Sequence, residues 1–277
     1  MKISIVTAAY NASQYLPDLI DSIVGQTYPP FEHIIIDDGS TDDTPKVLAA
    51  YANSHPFVRW WTHENQGAYP TQDKALRFVT GDIICLINAD DKFASPDVFH
   101  QVVDYWQHHS TCQIVYGQTW RMDNQGNPLP NLDPHWKPSQ WLIRHISYVQ
   151  HCSMFVRREF VEEYQLNLHY HLAADWDWII RLFQNSQSIG YMTQPIGVFR
   201  LHDGQRSRTK QHQATVERRQ IVTQYHGSYF ISSLLHRLLI YRGMFLLGWD
   251  VLRQKGLSAF INRMRLWIKK RLSIIVR

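Results

Sequence analysis

Asn88-Ala89-Asp90-Asp91 directly follows the apolar run Ile83-Ile84-Cys85-Leu86-Ile87, so two carboxylates emerge where a buried strand reaches the edge of its sheet. Open α/β sheets bind ligands at that edge. Carboxylates there repel one another and lose hydration, a cost that a hard divalent cation and its phosphate ligand offset with positive charge and oxygen partners. The cluster therefore suggests metal-assisted chemistry on a phosphorylated compound. A helix-capping loop uses the same residue types, and Ser95-Pro96-Asp97 opens a helix just beyond. Two other strand ends carry Thr7-Ala8-Ala9-Tyr10-Asn11 and Asp37-Asp38-Gly39-Ser40-Thr41-Asp42. In a parallel sheet they open on the same edge, where Tyr10 can stack on a base and Asp38 can accept an imide N–H or contact a ribose hydroxyl. Gly39 permits a tight turn and close backbone approach. Asp-Gly-Ser is equally an ordinary turn and helix start.

The elements that must position these groups alternate in type. Strands are expected at Ile3 to Thr7, His33 to Asp37, Val58 to Thr62 and Ile83 to Asn88, all rich in β-branched or aromatic residues. Leu16, Leu19, Ile20, Ile23 and Val24 share one helix face, with Asn11 or Ser13 able to cap it and Pro17 in its first turn. Thr44-Pro45 starts a second helix carrying Val47, Leu48 and Tyr51; Ser95-Pro96 starts another carrying Phe99, Val102, Val103 and Trp106. Alternation of this kind implies an α/β fold with a mostly parallel sheet flanked by helices. From Trp120 to Pro138 the density of Pro, Gly, Asn and Asp predicts a long irregular loop. A helix is expected at Trp176 to Phe183, and a strand around Gly197 to Leu201 that ends at His202-Asp203-Gly204.

Of the 277 residues, 44% are hydrophobic and 19% charged, which fits a globular protein with a sizeable core. Cys85, Cys112 and Cys152 are widely spaced, indicate neither a disulfide framework nor a zinc site, and suit a reducing cytoplasm. The Met1-Lys2 start runs straight into an apolar stretch too short for a signal peptide. Net charge is +4, but residues 228–277 hold ten Lys or Arg against Asp250 alone, a net +9 that leaves −5 for the rest. A nucleic-acid footprint over the body is thus not expected. In the tail, Phe230, Leu234, Leu235, Leu238 and Leu239 form one apolar stripe, and Leu257, Phe260, Ile261, Met264, Trp267, Ile268 and Ile275 form another. Arg237, Arg242 and Asp250 break the first run short of the roughly 18 apolar residues a spanning helix needs. A basic amphipathic helical extension lying on an anionic membrane surface fits this pattern; helices packed on protein with their cations in water fit it as well.

The ordered set Val6 to Asn11, Ile35 to Asp42, Glu64-Asn65-Gln66-Gly67, Gly81-Asp82-Ile83-Ile84 and Leu86 to Asp91 resembles family 2 glycosyltransferases, closely over the first hundred residues and loosely to about residue 210. The resemblance implies a GT-A fold, a nucleotide diphosphate sugar as donor, Mg²⁺ or Mn²⁺, and hexosyl transfer with inversion to a glycan or lipid-linked acceptor in cell-surface polysaccharide synthesis. It implies a nucleotide-sugar half at residues 1–105, an acceptor and catalytic half at 106–227 and the basic tail at 228–277, with the protein at the inner face of the cell membrane. By position, Thr7, Ala9, Tyr10, Asp38 and Gly67 fall on the nucleoside side, and Asn88, Ala89 and Asp90 at the diphosphate. Asp90, Asp91 and His202 match the metal positions, and Asp175, which opens a helix, matches the base. A carboxylate at a helix N-terminus is held ionised, ready to accept a proton. Gln150 and His151 match the acceptor side, as does Trp176; Asp177 and Arg181, at i and i+4, can simply pair on the helix surface. One departure stands out. The family commonly has Asp where this chain has Asn88, and an amide brings no charge to a metal. A noncatalytic nucleotide-sugar-binding scaffold is therefore a rival; a nucleotidyltransferase is a weaker one, because Ala8-Ala9-Tyr10-Asn11 has neither the glycines nor the cations of a triphosphate loop.

Overall fold

The computed structural model describes residues 1–130, 136–243, 245, 246 and 253. The first half runs β1 (Ile3–Ala9), α1 (Leu16–Val24), β2 (Glu32–Asp37), α2 (Thr44–Ser54), β3 (Val58–Thr62), α3 (Ala68–Leu76), β4 (Ile83–Leu86), β5 (Lys92–Phe93) and α4 (Val98–His108). The second runs β6 (Ile114–Met122), β7 (Pro128–Leu129), α5 (Gln140–Ile143), β8 (Met154–Arg157), α6 (Arg158–Glu163), α7 (Ala174–Asn185), β9 (Ile189–Arg200), α8 (Arg206–Thr209) and α9 (Gln211–Gln224). The described strands form one sheet ordered β3-β2-β1-β4-β8-β6-β9-β5, with β7 paired to β6.

As the alternation implies, β3, β2, β1 and β4 are parallel. Strand side chains alternate between faces, so Ile5 and Ile35 join a core beneath α1, α2 and α4, while Val6, Ile34 and Ile36 join a second core beneath α3 and α7. Burial on both faces explains why β2 and β4 read as continuous apolar runs. Beyond β4 the sheet becomes mixed: β8 is antiparallel to β4 and β6, β9 runs parallel to β6, and β5 runs antiparallel to β9.

Two local expectations change. Asn11 and Ser13 do not cap α1, whose N-cap is Tyr15 without a side-chain bond. They fasten the loop after β2 instead: Asn11 Oδ1 accepts the Thr41 N–H at 2.9 Å, and the Ser13 hydroxyl donates to Asp42 at 2.6 Å. The span from Trp120 is not irregular throughout, because β6 continues to Met122 and returns through β7 as a hairpin. Asp123 closes its turn by accepting the N–H groups of Gln125 and Asn127, and Pro128 is tolerated there because β7 lies off the main strand path.

Residues 229–243 are helical. Phe230, Leu234 and Leu238 of the first tail stripe are exposed, whereas Leu235 and Leu239 are half-buried. Among the described residues, no helix is long and apolar enough to cross a membrane. The second stripe, from Leu257 to Ile275, lies outside the described residues.

Candidate active site

The C-terminal ends of β1 and β4 and the N-termini of α3 and α7 border one cleft of about 1270 Å³. Tyr10, half exposed, stands at one end, and Asn88, Ala89 and Asp90 form its floor. His202 meets that floor: its Nε2 lies 2.9 Å from Asp90 Oδ2, and its ring sits 4.9 Å from that of Tyr15. The expected Asp90 and His202 thus come together from points 112 residues apart.

A buried arginine supports this arrangement. Arg200 is 2% exposed; its Nε donates to the Asp90 carbonyl at 2.9 Å and its Nη1 to the Asn124 carbonyl at 3.1 Å, and its Nη2 pairs with Asp18. Its own N–H donates to Asp91 Oδ1 at 3.0 Å. Arg200 therefore ties the acidic turn after β4 to the β6–β7 hairpin. Gln72 of α3 adds a further tie by donating to Asn88 Oδ1 at 2.9 Å.

Asp175 lies in the first turn of α7 and lines the cleft. Its Oδ1 accepts the Tyr69 hydroxyl at 2.8 Å and the Trp176 N–H at 2.9 Å, and its Oδ2 lies 3.4 Å from His151 Nδ1. Burial works against its charge, but the contacts with His151, Tyr69 and Trp176 outweigh it and hold the carboxyl below its ordinary value. The carboxylate is ionised at neutral pH. Glu217 shapes the approach to α7, because its Oε2 accepts the N–H groups of His171, Leu172 and Ala173 at 3.1, 2.7 and 3.1 Å.

Several expected contacts are corrected. Thr7 and Ala9 are fully buried, because strand alternation turns Ala8 and Tyr10 toward the cleft and these two away from it. Thr7 instead bonds the Ile87 carbonyl at 2.9 Å and lies 3.0 Å from His33 Nε2. Asp38 is 2% exposed and already satisfied: it accepts the Gln66 N–H at 2.7 Å, the Gly67 N–H at 2.9 Å and the Thr71 hydroxyl at 2.9 Å. It holds the turn after β3, of which Gly67 is part, rather than presenting a free carboxylate. Asp91 is fully buried, stands outside the cleft lining and turns Oδ1 to the Arg200 N–H; burial, then the charge of Asp90, pushes its carboxyl well above the usual range. His151 lines the cleft, with both ring nitrogens sealed from solvent and Nδ1 turned to Asp175. Trp176 also borders the cleft, but it is 3% exposed and its indole N–H is spent on the Ile143 carbonyl at 2.8 Å, which anchors α7. Gln150 lines the cleft as well.

Residues 4–165 match the model of the family described as Glycosyl transferase family 2. The chain belongs to that family. Among relatives, the chain is 30% identical over 181 residues to the chondroitin synthase of Escherichia coli, an alignment covering 65% of this chain and 26% of that protein. The chain thus spans about a quarter of that relative's length. Its fold resembles that of S. aureus TarS 1-349 in complex with UDP-GlcNAc, with TM-score 0.66, 15% identity and coverage of 95% of this chain and 79% of the other. It likewise resembles the mannosyltransferase PcManGT from Pyrobaculum calidifontis in complex with GDP-Man and Mn²⁺, with TM-score 0.59, 17% identity and coverage of 99% and 80%. The sheet, parallel at first and mixed beyond β4, is a family 2 GT-A fold.

Tyr69, Arg200 and Arg206 are site residues that sequence reasoning passes over. Tyr69 follows Gly67 by two positions with no motif of its own, and its hydroxyl is pushed well up by burial and by Asp175. Arg206 lines the cleft, and its guanidinium comes within 3.8 Å of where a Cβ on Gly67 would lie. The signal for Arg200 is its spacing from His202, two residues along a strand that ends at the cleft.

Proposed function

We propose that this chain is an inverting glycosyltransferase that moves a hexose from a nucleotide diphosphate sugar to a hydroxyl of a glycan or lipid-linked acceptor in polysaccharide synthesis. The observation that carries this is one cleft holding the Asp90–His202 pair toward the nucleotide end and an ionised Asp175 beyond it. Tyr10 stacks on the base. Arg206, opposite Gly67, faces the diphosphate and supplies charge that Asn88 does not.

Asp90 and His202 suit Mg²⁺ or Mn²⁺: a carboxylate oxygen and an imidazole nitrogen lie side by side, both partly exposed to the cleft. Among the described residues no third His, Cys, Asp or Glu joins them, so any further ligands to such an ion would have to come from outside the protein. A bound cation supplies positive charge for the departing nucleotide. Asp175 takes the proton of the acceptor hydroxyl as its oxygen attacks the anomeric carbon from the side opposite the diphosphate. Tyr69 and His151 hold that carboxylate in place. The exposed stripe on 229–243 and the basic tail support a peripheral site at the inner face of the cell membrane. Asn88 favours one rival, a scaffold that binds nucleotide sugar without transferring it.

The test is a donor panel with Mn²⁺ and membrane lipid extract, scored for nucleoside diphosphate release. Asp90→Ala and Asp175→Asn should each lose activity about a hundredfold or more. Full activity in both would sink the site assignment; binding without release in wild type would favour the scaffold.

A further inference from the structure

The cleft is divided by charge. Four carboxylates line it among the described residues: Asp90, Asp123, Asp175 and Asp203. Three belong to the His202 end, because Arg200 bonds the carbonyls of both Asp90 and Asp123 and Asp203 adjoins His202. Beyond Asp175 the wall is Ser147, Gln150, His171, Leu172, Arg218 and His236, which includes no acid. Glu217, next to Arg218, is buried and spent on three backbone N–H groups and Gln213, so it does not neutralise its neighbour. No carboxylate among the described residues forms a salt bridge with Arg218.

Three separate elements converge on this end. His171 comes from the loop that Glu217 ties down, Arg218 from α9, and His236 from the helix at 229–243. That helix is fixed beside Ser147 because the Ser228 N–H donates to His145 Nε2 at 3.1 Å and the Ser232 hydroxyl to the His145 carbonyl at 2.8 Å. His236 Nδ1 donates to the Ser232 carbonyl at 2.8 Å, which assigns the proton to Nδ1 in the neutral ring. The exposed Arg218 guanidinium, lining the cleft together with His171 and His236, selects an anion over a neutral sugar through its own charge and forked donors.

The geometry points to an acceptor that carries an anionic group, a carboxylate or a phosphate, close to the hydroxyl that Asp175 deprotonates. This rests on the assignment of Asp175 as the base. Arg218 makes the main charge contact, and His171 and His236 border it. A uronic acid and a sugar or lipid phosphate present the same chemistry to these side chains.

Binding separates the two assignments, because it requires no turnover. The full chain, saturated with whichever of UDP or GDP stabilises it, is titrated with a methyl glucuronide, with its neutral methyl ester, and with a hexose phosphate. Wild type should bind at least one charged probe about tenfold more tightly than the ester. The stronger of the two charged probes identifies the source of the anion. The preference should vanish in Arg218→Ala/His171→Asn, survive in Arg218→Lys, and shrink in wild type as salt is raised, since the site is open to solvent. Equal binding of charged and neutral probes, or a preference that persists in the double variant, overturns the inference. Loss of transfer in Asp175→Asn tests the base independently of either result.

Discussion

Replacing Tyr69 with Phe removes one hydroxyl and little else. The ring keeps its packing, and Asp175 keeps the Trp176 N–H on Oδ1 and the His151 imidazole facing Oδ2. The lost bond is 2.8 Å long and ends on a carboxylate, a class that contributes about 1.5–3 kcal/mol when buried. It stabilises only the ionised form to that extent. Its removal therefore raises the pKa of Asp175 above that of wild type, and because the side chain is 24% exposed the effect falls at the lower end of that energy range. The sign follows from linkage. Asp175 is depressed when folded, so its contribution to stability is present above its unfolded pKa and is lost as pH falls through the folded value. In Tyr69→Phe the folded value lies higher, so that contribution is smaller and is exhausted at higher pH, and the acid limb of kcat moves to higher pH. The assay is nucleoside diphosphate release against pH at saturating donor and acceptor, with thermal unfolding followed in parallel. An acid limb that does not move, in a variant that unfolds like wild type, refutes Asp175 as the base.

Gly39→Ala should cost about 1–3 kcal/mol and weaken donor binding, because φ is +73° there and a Cβ would meet Asn65 N at 3.0 Å and the His63 carbonyl at 3.1 Å; denaturant melts and a nucleotide titration read both. Glu217→Ala strips three backbone N–H groups of their acceptor ahead of α7, so unfolding in urea should show a loss of about 2–4 kcal/mol. His33, fully buried, is lowered from 6.5 to about 3 by desolvation. The unfolded chain therefore binds a proton that the folded one refuses, and stability should fall as pH drops below 6.5 and continue falling toward 3, by on the order of 3 kcal/mol at pH 4. A His33→Gln variant should show a flatter urea-midpoint profile across that range.

Legibility followed the range of the interactions involved. The first half of the fold is plain because its strands are buried on both faces and its helices carry local stripes and prolines; α2 starts at Thr44, where Thr44-Pro45 points. The second half obeys no local rule. β9 is twelve residues long with Pro195 inside it, and its pairing with β6 shifts register between Tyr116 and Thr119. Gly117 permits the close pairing there, since a Cβ would lie 2.7 Å from the Gln194 carbonyl, a contact no sequence pattern announces.

At the site, the amino-acid sequence by itself determined which groups are available: carboxylates after β4, a histidine after β9, and an aspartate in the first turn of α7. Motif spacing within one element suffices for that, because strand ends and helix starts are set by neighbours in the chain. Only the tertiary structure decided which of them meet solvent. Asp90 and Asp91 are adjacent, yet one lines the cleft beside His202 and the other is sealed against the Arg200 N–H. The physical reason is that hydration and partner charge depend on residues more than a hundred positions away, as the Asp90–His202 and Tyr69–Asp175 contacts show.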